Sequence, residues 1–97
     1  MDISKNLKYN KDVLLSYFRN RSNEIKSELA LRYSAADYKK KAAAVNTAMI
    51  QTKETLLSIL LETARNEHWT NKEILECVLM ITYTNDVVML EARNSVP

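Results

Sequence analysis

The chain has 97 residues, no glycine, one proline at its end and a net charge of only +2. Hairpin turns, P-loops and dinucleotide-binding fingerprints use glycine where the backbone takes positive φ or closely approaches a phosphate, so its absence argues against all three. A hydrophobic content of 46% suits a globular protein and not a disordered one.

The length corresponds to a single helical domain over residues 1–97. A chain of this size buries a modest core, so self-association or docking on a partner adds useful stability. Charge is unevenly placed: residues 1–53 carry eleven Lys/Arg and five Asp/Glu, whereas residues 54–97 carry three and seven. Such polarity either lets one half of the fold complement the other or steers an anionic partner to the basic half.

The one cysteine, Cys77, has no second cysteine to pair with. The opening Met1-Asp2-Ile3-Ser4-Lys5 leads into Lys8 and Lys11 without the apolar run of a signal peptide. The longest uncharged stretch, Ala42 to Thr52, is too short to span a bilayer. These features together give the expectation of a cytoplasmic protein that does not enter a membrane.

In chain order, Asn10 suits an N-cap and Asp12 the first turn of a helix, where the dipole favours a carboxylate. Leu14, Phe18, Ile25 and Leu29 then share a face, with Leu15 and Ser22 beside them. Glu28 and Arg32 form an i,i+4 pair on another face.

Ser34 followed by Asp37 resembles a capping box in which Asp replaces Glu or Gln. A long second helix is expected from there to Glu67 or His68. Tyr38, Ala42, Val45, Met49, Thr52, Leu56, Ile59 and Thr63 alternate in steps of four and three, and Leu57, Leu60 and Ala64 widen that seam.

Thr70 and Glu73 form a regular capping box ahead of a third helix carrying Ile74, Val78, Ile81, Val88 and Ala92 on or near one face. Val78 to Thr84 is rich in β-favouring residues, and Asn85-Asp86 could instead turn a hairpin into Val87-Val88-Met89. The cap, the length and the missing glycine favour the helix. The fold expected is all-α: an antiparallel three-helix arrangement with one long central helix.

Leu60 to Asn66 and Met89 to Asn94 are similar in sequence, with Arg and Asn at expected helix ends. Arg suits the helix dipole there and Asn the left-handed cap.

Catalytic chemistry finds little support. His68 is the only histidine, and with Glu62, Arg65 and Glu67 it makes at most a polar helix end with Trp69 under the turn. Cys77 lies among Glu73, Glu76 and apolar residues, without the basic neighbour a thiolate needs. The expectation is a non-enzymatic chain with no catalytic residue, metal or cofactor.

Lys39-Lys40-Lys41 is the most basic run, and Arg19 and Lys26 share a face seven residues apart. Arg19, Lys26, Lys39 and Lys41 are therefore the candidates for phosphate contacts. Leu29 to Ala36 resembles the first helix and turn of the helix-turn-helix DNA readers, with Lys39 to Lys41 opening the recognition helix. The resemblance spans about twenty residues; its turn lacks glycine, and Lys40 stands where that family places an apolar residue.

The function expected is a helical module binding a protein partner or itself, a description that suits a phage or mobile-element inhibitor or adaptor. Trp69 at a helix junction is the candidate anchor. The alternatives are a nucleic-acid-binding regulator using the basic N-terminal half and the N-terminal helical region of a larger enzyme.

Overall fold

In the computed structural model, which describes residues 10–94, three helices run along a common axis in a body of 49 × 19 × 18 Å. They are α1 (Lys11–Ala30), α2 (Tyr38–Asn66) and α3 (Asn71–Asn94). There is no strand among the described residues. The antiparallel three-helix arrangement with a long central helix is the fold, and the hairpin considered for residues 78–92 is replaced by continuous helix.

Local chemistry explains most of the boundaries. The Val13 N–H donates to Asn10 Oδ1 at 3.2 Å, closing the first turn of α1. At the start of α3 the capping box is complete. The Thr70 N–H donates to Glu73 Oε1 at 3.0 Å, and the Glu73 N–H donates to Thr70 Oγ1 at 3.2 Å.

The second expected capping box does not form. Ser34 Oγ donates to Asp37 Oδ2 at 3.1 Å, and residues Ala35–Asp37 make a 3-10 turn before α2 begins. Aspartate is one methylene shorter than glutamate, and here its carboxylate accepts from the serine hydroxyl instead of reaching back to the Ser34 N–H. The Glu28–Arg32 pair is also lost, because α1 ends at Ala30, before Arg32. Within α1 an ion pair forms instead between Arg21 and Glu24, at 3.1 Å.

The α2–α3 turn supplies the left-handed residue that a glycine-free chain must make from something else. It is His68, with φ of 56°, and not Asn66. The Trp69 N–H reaches back to the Ala64 carbonyl at 2.9 Å, the long bond of a Schellman cap.

A hairpin centred on His68 and Trp69 puts residues equidistant from that turn at one level. Leu60 thus matches Cys77, Leu56 matches Ile81, Met49 matches Val88 and Val45 matches Ala92, and every one of these is buried. Leu14, Phe18, Ile25 and Leu29 of α1 complete the core.

The buried line on α2 departs from the expected seam. After Leu56 it passes to Leu60 and Ala64, leaving Ile59 and Thr63 half-buried, and Tyr38 at the other end is exposed. A straight helix drifts by about 20° per heptad against a strict seven-residue repeat, which carries the apolar face around in this way.

Two contacts fix α1 beside α3. Lys11 Nζ lies 5.1 Å from the centre of the Tyr83 ring, and Arg19 binds Glu91. Both pairs have the same separation in sequence, so α1 and α3 run parallel at a constant offset.

Candidate functional site

Four apolar side chains of α3 lie outside the core. Leu75, Leu79, Tyr83 and Leu90 are 58%, 59%, 55% and 58% exposed. Successive residues turn by about 100°, which places these four within one quadrant of the helix, opposite Cys77, Ile81 and Val88. The helix is therefore apolar on two sides, and only one side is covered by the described residues.

Polar residues bracket this row. Lys72 and Asp86 are exposed on the same quadrant, and Lys72 makes a long 4.0 Å contact with Glu76. Lys11 sits over the Tyr83 ring and holds that ring at the flank nearest α1. The other exposed large apolar residues are dispersed: Ile50 and Leu61 on α2, and Leu31 and Tyr38 at the α1–α2 junction.

Trp69, the anchor expected from sequence, is half-buried and packs against the core at the α2–α3 turn. Its backbone N–H helps cap α2.

Of the four basic candidates, Arg19 and Lys26 lie on α1 and Lys39 and Lys41 in the first turn of α2. The Arg19 guanidinium forks onto Glu91, with Nε to Oε1 at 3.0 Å and Nη2 to Oε2 at 2.8 Å. The Arg19 hydrogen bonds hold the Glu91 carboxyl below its usual pKa; burial opposes this, and the charges of Arg19 and Lys26 add weaker support. Arg19, Ser22 and Lys26 line a cavity of about 210 Å³ with Val88, Glu91 and Ala92. Lys39 is exposed and Lys41 half-buried at the start of α2.

The helix-turn-helix resemblance does not extend to the geometry. In that motif the helices cross at about 90–120°. A 20-residue helix is about 30 Å long, so a crossed α1 would not fit a body 19 Å across.

His68, Glu62, Arg65 and Glu67 are all exposed at the end of α2, and Cys77 is fully buried. No group of three or more His, Cys, Asp or Glu side chains among the described residues is placed to hold a metal ion. No described helix is long and apolar enough to cross a membrane.

Comparison with known proteins gives no match to a family model, to a curated protein or to a solved structure.

The residues of the α3 row were missed in the sequence because they complete an apolar run. Leu75, Leu79 and Tyr83 fill the gaps between Ile74, Cys77, Val78 and Ile81, so the segment shows no single-faced period and reads as strand-like. The available signal was the i,i+4 spacing of Leu75, Leu79 and Tyr83 on the face opposite the core.

Proposed function

We propose that this chain is a non-enzymatic helical interaction module whose binding surface is the outer face of α3. The observation that carries this reading is the row Leu75, Leu79 and Tyr83, more than half exposed on a helix whose other face is fully engaged in the core. A contiguous exposed apolar row of this kind marks a protein interface more often than isolated surface leucines do. Helix-on-helix docking suits it, because the i,i+4 spacing presents ridges that fit the grooves of another helix.

Trp69 takes a supporting part in this reading, bracing the turn from which α3 starts. The nucleic-acid alternative keeps Lys39 and Lys41, but Arg19 is already bound to Glu91, which weakens it. Compact size and an all-helical build suit an inhibitor or adaptor that acts by occupying a partner's surface.

The test compares two folded variants with the parent for capture of partners from host cells. Leu79→Glu should abolish capture of protein, and Lys39→Glu/Lys41→Glu should leave it intact. Loss only in the lysine variant, with salt-sensitive nucleic-acid binding by the parent, would reverse the assignment.

A further inference from the structure

Between Lys72 and Asp86 the exposed row of α3 is symmetric in its own sequence; Leu90, on the same quadrant, lies beyond that stretch. Lys72, Leu75, Leu79, Tyr83 and Asp86 are separated by three, four, four and three residues, and all five are exposed. Reversing the helix about Leu79 therefore returns the same spacing. It also exchanges a cation for an anion at the ends and one large apolar residue for another between them.

We infer that the occupant of this face is a second copy of the chain, docked as an antiparallel α3–α3 pair about a two-fold axis at Leu79; this rests on the reading of α3 as the binding surface. In that arrangement Leu79 meets Leu79 of the second copy, and Leu75 meets Tyr83 twice. Lys72 meets Asp86 twice, once at each end. A two-fold interface must be complementary to itself, and this row meets that requirement in both shape class and charge.

The flanks agree with the same register. Glu76 lies on the side of α3 toward which Tyr83 and Lys11 are turned, and reversal about Leu79 brings Glu76 of one copy level with residue 82 of the other. Lys11, held over the Tyr83 ring, is thereby close to the level of an opposing carboxylate. A parallel pairing gives none of this, since it sets Lys72 against Lys72 and Asp86 against Asp86. Like charges so placed are destabilising.

The average step of about 3.5 residues from Lys72 to Asp86 is that of a coiled-coil seam, so two such helices can stay in contact over the whole row. Because the row is short, the pairing is reversible and set by concentration.

The experiment is sedimentation equilibrium of the full chain from about 1 µM to about 1 mM, with charge-reversed variants. The parent should pass from monomer to dimer. Lys72→Glu alone and Asp86→Lys alone should each weaken the dimer at least about tenfold, while Lys72→Glu/Asp86→Lys should restore it. These exposed substitutions leave the fold intact, which circular dichroism checks.

A parent that stays monomeric throughout, or a dimer indifferent to the single reversals or not rescued by the double one, overturns the inference. A monomeric parent whose capture of a different protein is abolished by Leu79→Glu would overturn self-pairing alone. A monomeric parent with capture insensitive to Leu79→Glu would overturn both readings.

Discussion

Arg19 grips Glu91 with both arms of its guanidinium, at 3.0 and 2.8 Å, joining the middle of α1 to the end of α3. The pair is half-exposed, so its geometry matters more to register than to stability. It sets the offset at which α1 and α3 run side by side. It also engages Arg19, one of the four basic candidates, with a carboxylate of the same chain.

The pair makes a directional expectation about pH. The folded-state pKa of Glu91 is lowered, so its contribution is present above the ordinary carboxylate range and lost as pH falls through the depressed value. Arg19 is raised, and its contribution would be lost only above its already high value, outside the working range. Glu91→Gln should flatten the fall in stability on the acid side, with little further change above neutrality. Urea denaturation at several pH values checks this, and an unchanged acid slope would mean the pair is not made in solution.

The core face of α2 and the outer face of α3 should differ in the size of their response to truncation. Leu56 is fully buried, and Leu56→Ala should destabilise by about 2–5 kcal/mol. Leu79→Ala, on the outer face, should change monomer stability by less than about 0.5 kcal/mol. A large loss at Leu79 measured at low concentration would place it in the core and remove it from any interface.

His68 holds a left-handed backbone conformation that disfavours any residue with a Cβ. His68→Gly should stabilise by about 0.5–1 kcal/mol, the relief of that crowding being partly offset by the freer unfolded chain. His68→Val should destabilise, because branching at Cβ makes positive φ harder still. Two denaturation curves moving in the same direction would contradict the cap geometry.

Asn85 is 1% exposed, and its Oδ1 has no hydrogen-bond partner, while its Nδ2 contacts Met89 Sδ at 3.2 Å. A buried acceptor left unmade costs about 1–3 kcal/mol, so Asn85→Leu should raise stability by an amount in that range. The neighbouring Thr84 behaves differently. Its hydroxyl donates to the Met80 and Ile81 carbonyls at 2.8 and 3.1 Å, so Thr84→Val should gain nothing comparable. Thermal melts of the two variants separate these cases.

How much was legible in the sequence follows from which signals were local. The caps at Asn10 and Thr70 depend on residues three apart, and both form as the sequence implied. The long central helix was legible because its polar and apolar faces are distinct. Asn85 was a turn residue only in the hairpin alternative, and it lies buried within the helix that the cap and the length favoured. The outer row of α3 escaped because a second apolar face erases the periodicity that reveals the first. The Arg19–Glu91 contact joins residues too distant in sequence for any local pattern to show.

The most direct test of the central claim is photo-crosslinking from the outer face of α3. A photoreactive amino acid at position 79 in the full chain, with one at the exposed position 54 of α2 as comparison, reports what lies against each surface. The expected result is a protein adduct from position 79 and none from position 54. Adducts from position 54 alone, or none from position 79 across the concentration range that supports binding, would contradict the assignment of α3 as the interaction surface.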